Sequence, residues 1–335
     1  MLNIEASYFI FAFVAVVGVL QVMAARHKLR GLSFIRDMRK PLPGYLLGAV
    51  LIVGTFGWFF STQKGIFIPG PAGAQFLFLF STASLCALVA TLLLSTLIHH
   101  SPPLRGRGRS LRCQRVSFEG GQGELYTPPH RSPPWPAVCI VPSPVGGGWE
   151  RIAADLAESG FVVLVAELSV SRYPEILTLL PEAVSYLSAR DGVDHERIGA
   201  IGLDLGGDLT ICAVTSDKRI KAAIALAPLI EEESARPGLR LLREMSYLQA
   251  VRWFRFLDGG GLLARLKSKQ HAEKIGPQPF LAVYGEEDGL VSLARARQAL
   301  GAAGELKFVG GEGHTSLFTS PTVASMVVQW FKEKL

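Results

Sequence analysis

The stretch GAIGLDLGGD, residues 199–208, decides how this sequence folds. It continues the apolar run IGAIGL, which is typical of a buried strand, and leads into a stretch that favours a helix. Asp204 stands at the junction, with Gly202 two residues before it and Gly206 two residues after it. When a strand turns directly into a helix, side chains at these flanking positions must be nearly absent. The segment therefore predicts a sharp strand-to-helix turn with Asp204 at its apex.

On both sides of this turn, predicted strands alternate with predicted helices. Continuous apolar runs with β-branched residues, typical of buried strands, occur as AVCIVP, FVVLVA, KAAIALA and PFLAVYG. The stretches between them favour helices, and this alternation predicts a mostly parallel sheet covered by helices on both faces. We therefore expect residues 113–335 to form one α/β domain.

Residues 229–276 interrupt this alternation between two predicted core strands. The segment is rich in Lys and Arg and contains Trp253, Phe254 and Phe256. We interpret it as a helical cap insert over the carboxyl-terminal edge of the sheet. The alternative is an interfacial surface that contacts a membrane beside an anchor, and both interpretations stay open at this point.

Three long apolar stretches precede the α/β domain. The chain is 49% hydrophobic over 335 residues, and the excess lies in uncharged stretches of about 20 apolar residues, the length that a helix needs to cross the hydrocarbon core. We predict transmembrane helices at about 7–25, 43–61 and 75–98, so that residues 1–98 form a membrane domain. Residues 99–112, HHSPPLRGRGRSLR, are expected to be a basic linker.

The distribution of basic residues predicts the orientation in the membrane. Lys and Arg are frequent between the first two predicted spans and after the third, whereas the N-terminus and residues 62–74 contain only Lys64. Basic loops stay in the cytoplasm, so we expect an integral protein of the inner or plasma membrane with its N-terminus outside and its α/β domain cytoplasmic. The first span is expected to be retained and not cleaved, because no Lys or Arg precedes it. The pI near 9.2 is explained by these basic flanks beside the lipid bilayer, without a nucleic-acid partner.

Two further segments place polar residues after predicted strands. LAVYGEEDGLV contains Asp288, and VGGEGHTSLF contains His314. Together with the Asp204 turn and its double glycine, Gly206-Gly207, they resemble the α/β-hydrolases, and within them the dienelactone-hydrolase-like branch, over essentially the whole α/β domain. The resemblance implies a catalytic triad in which Asp204 is the nucleophile, Asp288 the acid and His314 the base.

The residue at the nucleophile position departs from that branch. Esterases have Ser, and dienelactone hydrolases have Cys, where this chain has Asp204. Haloalkane dehalogenases and epoxide hydrolases, which resemble this fold, use Asp to attack an sp³ carbon, and histidine then activates water to hydrolyse the ester that is formed. Dehalogenases usually have Trp after that Asp, where this chain has Leu205, and epoxide hydrolases use cap tyrosines, for which the insert offers only Tyr247.

The oxyanion hole is the second departure. The resemblance implies backbone N–H donors at Leu205 and in the loop after the third strand, where we expect Val145 and Gly146. If Pro144 instead occupies the donor position, half of the hole is absent, because proline has no N–H. The loss of one such donor costs about 3 kcal/mol of transition-state stabilisation.

These residues allow two interpretations of function. The first is a membrane-anchored hydrolase without cofactor or metal that acts on a small or lipophilic molecule with an ester, lactone, epoxide or alkyl halide group. No phosphate-binding glycine motif and no cysteine pair with metal spacing is present in the sequence. The second is a catalytically decayed hydrolase fold, kept as an accessory or binding subunit of a membrane complex, in which Asp204 is only a helix N-cap. Asp208 is expected on a solvated helix face in either case.

The glycines of the predicted spans suggest a further partner. Small residues allow two helices in a membrane to approach closely. We therefore expect the spans to pack against one another or against a membrane-protein partner through Gly18, Gly48, Gly54 and Gly57.

Reporter fusions test the predicted orientation. A fluorescent protein fused after residue 110 should fluoresce and alkaline phosphatase at the same place should be inactive, because the basic flanks keep this side in the cytoplasm. Fusions after residue 70 should give the opposite pair of signals and serve as the control. Active phosphatase after residue 110 contradicts the orientation.

Overall fold

The computed structural model describes residues 4–35, 40–62, 73–99, 111–129, 132–145, 147–168, 173–230, 239–257 and 261–335. The chain divides into two compact units. The first combines Met1–His100 with Gly238–Ala250, and the second combines Ser101–Pro237 with Val251–Leu335. Part of the predicted cap insert therefore belongs to the unit that contains the predicted spans.

Within these ranges the helices in chain order are α1 (Ile4–His27), α2 (Leu42–Thr62), α3 (Gly73–His99), α4 (Trp149–Glu158), α5 (Leu179–Ser188), α6 (Leu205–Ser216), α7 (Leu239–Glu244), α8 (Tyr247–Phe256), α9 (Gly261–Leu266), α10 (Ser268–Ala272), α11 (Leu293–Leu300), α12 (Ser316–Thr319) and α13 (Pro321–Lys334). The strands are β1 (Arg112–Phe118), β2 (Gly121–Thr127), β3 (Trp135–Val141), β4 (Val162–Ala166), β5 (Val193–Leu203), β6 (Ile220–Leu226), β7 (Phe280–Gly285) and β8 (Glu305–Val309). Helix and strand alternate through most of the second unit.

The helices α1, α2 and α3 form most of the first unit and confirm the three apolar helices expected from the sequence. Each extends one to three residues beyond the predicted bounds at both ends. By length and composition, each could cross a membrane. The 24 residues of α1 extend about 36 Å at 1.5 Å per residue, which exceeds a hydrocarbon core of about 30 Å.

Glycines bring the backbones of α1 and α2 into close contact. A Cβ atom built at Gly18 would lie 2.9 Å from the carbonyl oxygen of Gly48, and one built at Gly48 would lie 2.7 Å from the carbonyl oxygen of Gly18. Small residues at such positions allow apolar helices to pack without a hydrophobic driving force between them. Gly54 and Gly57 have no atom within 4 Å of a built Cβ, so the packing expected of them does not occur within the described residues of this chain.

The loop after α1 folds back on the ends of α1 and α3. The buried Gln21 donates from Nε2 to the carbonyl oxygen of Leu32 at 2.9 Å, and its Oε1 accepts from the N–H of Phe34 at 2.9 Å. From α3, Ser95 Oγ donates to the carbonyl oxygen of Arg30 at 2.8 Å. Backbone groups in apolar surroundings require such partners, and here side chains of α1 and α3 provide them.

Helix α7 contacts the same loop. The N–H of Gly31 donates to the carbonyl oxygen of Leu242 at 2.7 Å, and a Cβ at Gly31 would lie 2.6 Å from Leu242 Cδ2. Burial lowers the pKa of Arg30, and the charge of Glu244, which is itself buried, opposes this shift. The first part of the insert is thus joined to the loop that follows α1.

The second unit contains one eight-stranded sheet with strand order β1-β2-β4-β3-β5-β6-β7-β8. β1 and β2 form an antiparallel hairpin, β2 pairs with β4 antiparallel, and the remaining neighbours are parallel. β4 and β7 are buried along their whole length, as strands covered on both faces must be. The predicted fold class, a mostly parallel sheet with helices that follows three apolar helices, is confirmed.

The parallel arrangement brings four polar residues to one edge of the sheet. Ser143 follows β3, Asp204 follows β5, Asp288 follows β7 and His314 follows β8. Since parallel strands end at the same edge, side chains that follow them in sequence converge there.

Asp208 does not lie on a solvated helix face, and that expectation was wrong. Its side chain is fully buried, and its two oxygens accept hydrogen bonds from the N–H groups of Leu229 at 2.8 Å and Ile230 at 2.9 Å. The backbone of Ile230 has a φ of 65°, a conformation that costs free energy for a β-branched residue. Asp208 therefore holds the strained first residues of the insert, and burial raises its pKa to about 6.

Replacing Gly48 with Leu should destabilise the three-helix unit. The new side chain collides with backbone atoms of α1, and such overpacking costs about 1–3 kcal/mol or more. The midpoint of thermal unfolding of the full chain in detergent should therefore fall. Gly54→Leu adds the same side chain to the same helix at an open position, so an equal fall in both variants contradicts the packing described above.

The raised pKa of Asp208 should make its contribution to stability depend on pH. A pKa of about 6 in the folded state, above the ordinary 3.8, gives stability that is fully present below pH 3.8 and is lost as the pH rises through 6. When the pH is lowered from 7 to 5, the free energy of unfolding of the native chain should therefore rise by about 1 kcal/mol relative to that of Asp208→Asn. Thermal unfolding at both pH values, with Asp191→Asn at an exposed position as the control, checks this; a difference that does not change with pH contradicts it.

Candidate active site

Asp204 lies at the tight turn between β5 and α6. Its backbone has φ 57° and ψ −121°, a strained conformation for a residue with a side chain. A Cβ at Gly202 would collide with the backbone of Gly206, and one at Gly206 would collide with the carbonyl of Val141. The glycines thus permit the turn, and the turn directs the Asp204 side chain away from the helix axis.

The interpretation of Asp204 as a structural N-cap was wrong. Its carboxylate makes no capping hydrogen bond to α6, and an N-cap residue usually has extended backbone geometry. The carboxylate instead contacts three side chains from other elements, which the helix does not require.

His314 lies between Asp204 and Asp288. Its Nε2 is 3.4 Å from Asp204 Oδ1, and its Nδ1 is 3.0 Å from Asp288 Oδ2. All three side chains are at most 1% exposed. The structure therefore brings together the three residues that the sequence suggested, with His314 between the two aspartates.

Asp288 is fixed by a local turn as well as by His314. Its Oδ1 accepts from the N–H groups of Leu290 and Val291, both at 2.8 Å. The other oxygen, Oδ2, is left to face the imidazole. The turn and the histidine contact are compatible because they use different oxygens of the same carboxylate.

The two carboxylates determine the charge of His314. Burial lowers the pKa of the imidazole, but the charge of Asp288 and the hydrogen bonds with both aspartates outweigh burial and raise the pKa well above its ordinary value. Since both ring nitrogens face carboxylate oxygens, the imidazolium can donate a hydrogen bond on each side. The two aspartates therefore favour the protonated form of the imidazole.

Two further residues contact Asp204 that the sequence analysis did not single out. Ser143 Oγ and Trp253 Nε1 each donate to Asp204 Oδ2 at 2.8 Å. The two oxygens of Asp204 thus have different environments, because Oδ2 accepts from two neutral donors and Oδ1 faces His314. The position of Ser143, two residues after the apolar run AVCIV, was a sequence signal for it. Trp253 is one of several aromatic residues in the insert, and the sequence gives no register that selects it.

The predicted oxyanion donors have three different outcomes. Leu205 is the first residue of α6, so its N–H has no acceptor within the helix. The N–H of Val145 points to Ser143 Oγ at 3.4 Å. Gly146 lies outside the described residues. The N–H of Val145, next to Pro144, is therefore linked to Asp204 through the Ser143 hydroxyl.

Side chains fill the space around Asp204. Asp204 is 1% exposed, and Trp253 and His314 are fully buried. Among the described residues, Ser143, Trp253 and His314 enclose the Asp204 carboxylate. Among the described residues, no group of three His, Cys, Asp or Glu is arranged to hold a metal ion.

No protein-family model matches the sequence, but two curated proteins match parts of it. The polyketide transferase GrgF of Penicillium is 42% identical over 66 residues, which is 18% of this chain and 22% of GrgF. The uncharacterized protein PA2218 of Pseudomonas aeruginosa is 30% identical over 131 residues, which is 33% of this chain and 35% of that protein. The matched parts thus span between a fifth and about a third of the length of these relatives.

Solved structures match over a larger part of the chain. Est1E from Butyrivibrio proteoclasticus superposes with a TM-score of 0.52 and 20% identity over 66% of this chain and 98% of its own. PA2218 superposes with a TM-score of 0.51 and 20% identity over 70% and 97%. The crystal structure described as the α/β hydrolase GrgF gives 0.50 and 18% identity over 68% and 99%. At these identities the similarity shows the fold.

The eight-stranded, mostly parallel sheet of the second unit agrees with these superpositions. The second unit of this chain has the α/β-hydrolase fold.

Proposed function

We propose that this chain is a membrane-anchored hydrolase in which Asp204 is the nucleophile, His314 the base for water and Asp288 its orienting partner. The observation that carries the proposal is the buried line Asp204–His314–Asp288, which begins at a strained turn. The substrate is a small or lipophilic molecule with an ester, lactone, epoxide or alkyl halide group. The three apolar helices are the anchor, with the N-terminus outside and the hydrolase unit in the cytoplasm of the inner or plasma membrane.

The first step is attack by Asp204 Oδ1 on a carbon atom of the substrate. A bond forms between Oδ1 and carbon, and the bond from carbon to the leaving group breaks with its electron pair. In an epoxide, the leaving oxygen takes the proton from Nε2 of the His314 imidazolium, which lies 3.4 Å from Oδ1. For an epoxide, the products of this step are an alkyl ester of Asp204 and a neutral histidine; for an alkyl halide they are the same ester and a halide ion.

The second step is hydrolysis of that ester. Esterification removes the negative charge of Asp204, so one of the two groups that raise the pKa of His314 is lost, and the imidazole becomes a better base for water. The hydroxide adds to the ester carbon, and the negative charge that develops on Oδ2 is stabilised by Ser143 Oγ and Trp253 Nε1. These side chains already donate to Oδ2 at 2.8 Å and take the part that backbone N–H groups have in other oxyanion holes.

Collapse of this intermediate breaks the bond between Cγ and Oδ1 of Asp204, so Oδ1 leaves with the product alcohol and the oxygen of water replaces it in the carboxylate. The alcohol oxygen takes the acid proton of the regenerated Asp204, and His314 retains the proton from water, so the resting charges return. The sum is the addition of one water to the substrate. Because the aspartates favour the protonated imidazole, the site suits substrates whose leaving oxygen needs a proton, whereas a halide leaves without one.

The second candidate function is an accessory or binding subunit with a decayed site. One observation favours it, namely that Trp253 of the insert covers Asp204 and leaves it 1% exposed. The two functions differ in a covalent product, because only the hydrolase forms an ester at Asp204.

Replacing His314 with Gln should trap the ester on Asp204. Attack on a haloalkane still occurs, because a halide leaves without a proton, but water is not activated, so intact-mass spectrometry after exposure to haloalkanes should show added mass that peptide mapping places on Asp204. Asp204→Asn should lower turnover by about four orders of magnitude and abolish the label. His195→Gln changes an exposed histidine of the same unit and should neither trap the ester nor lower turnover. If no substrate ever labels Asp204 and Asp204→Asn changes only stability, the accessory function is correct.

A further inference from the structure

Helix α8 has two different faces. Trp253 is fully buried on one of them and donates to Asp204. The opposite face exposes Tyr247 (42%), Leu248 (49%) and Val251 (38%), at the i, i+1 and i+4 positions that share a helix face. Two further exposed residues of this face, Arg252 and Arg255, carry positive charge.

Large exposed apolar side chains are otherwise rare beyond the three long helices. In the described residues from 111 onward, the only other one is Tyr173. Three such side chains on the short helix α8 therefore indicate a surface that contacts another molecule. Tyrosine, aliphatic side chains and arginines together are the composition of helices that lie in the interface of an anionic bilayer.

The start of the insert is held at the end of the long helices. α1 ends at His27, and four residues later the N–H of Gly31 binds the carbonyl oxygen of Leu242 in α7. The same loop accepts hydrogen bonds from Ser95 near the end of α3. If these helices span the bilayer, the loop lies at the headgroup level, because a helix of this length covers the hydrocarbon core. The chain between Leu242 and Tyr247 is only four residues long, so α8 begins within reach of the same layer.

We propose that the exposed face of α8, formed by Tyr247, Leu248, Val251, Arg252 and Arg255, lies in the headgroup layer of the bilayer that holds α1, α2 and α3. The apolar side chains enter the boundary of the acyl chains, and the arginines bind anionic headgroups. It follows, if the proposed hydrolase function holds, that the substrate of Asp204 is an amphiphile drawn from the bilayer.

The surface contact can be tested without any substrate. Leu248→Cys and Val251→Cys are each labelled with a nitroxide in the full chain with Cys86→Ser and Cys113→Ser, the two exposed cysteines, and reconstituted in vesicles of zwitterionic and anionic phospholipids. Paramagnetic resonance then compares collisions with oxygen, which concentrates in lipid, and with a water-soluble nickel chelate. Labels at Leu46, exposed on α2, and at Gln298, exposed on α11, give the references for lipid and for water.

Both α8 labels should favour oxygen over the nickel chelate. Arg252→Glu with Arg255→Glu should reduce that preference in anionic vesicles more than in purely zwitterionic ones, because only the anionic lipids attract the arginines. If the nickel chelate reaches the α8 labels as freely as it reaches the label at Gln298, the proposal is overturned. Protection from both reagents also overturns it, because a protein partner or a second copy of this chain then covers the face.

A second experiment tests the substrate class. Leu248→Ser with Val251→Ser should lower the ratio of turnover of a bilayer-dissolved amphiphile to turnover of its short, water-soluble analogue by about tenfold or more. An unchanged ratio overturns the inference that the substrate comes from the bilayer. If the native chain hydrolyses neither compound, the proposed function fails, whereas the labels at Leu248 and Val251 still decide whether α8 lies on the membrane.

Discussion

The placement of the His314 imidazole between two buried carboxylates is the constraint on which the site depends. A buried charge is costly unless it is paired, and here the imidazole of His314 is hydrogen-bonded to both buried carboxylates. Each aspartate is in turn fixed by backbone geometry, Asp288 by a turn and Asp204 by a strained junction that only glycine neighbours permit. The contacts among Asp204, His314 and Asp288 therefore depend on the relative positions of the ends of β5, β7 and β8 at one edge of the sheet.

The two oxygens of the Asp204 carboxylate have different hydrogen-bond partners. Oδ2 is occupied by Ser143 and Trp253, and Oδ1 has only the imidazole as a neighbour among the contacts described above. The loop that carries Ser143 also contains Pro144, which has no N–H to donate. Both donors to Asp204 Oδ2 among the described contacts are side chains.

The features that could be predicted from the sequence are those determined by local pattern. Uncharged length predicts the three apolar helices, and apolar runs followed by polar residues predict the strand ends that carry Asp204, Asp288 and His314. The burial of Asp208 could not be predicted, because its partners are backbone N–H groups of the insert 21 and 22 residues away. The contact from Trp253 was missed for a similar reason, since the path of the insert depends on tertiary packing and not on periodicity. For the same reason, the sequence did not indicate that residues 238–250 belong with the long helices.

The hydrogen bond between Gly31 and Leu242 can form only late in synthesis of the chain. The two residues are about two hundred positions apart in the chain, so at about 5–20 residues per second the ribosome needs at least ten seconds to supply the second partner after the first. During that interval the loop after α1 lacks its contact with α7. The loop can form this hydrogen bond only after β1 to β6 have emerged, so the first unit is completed only after most of the second unit has been translated.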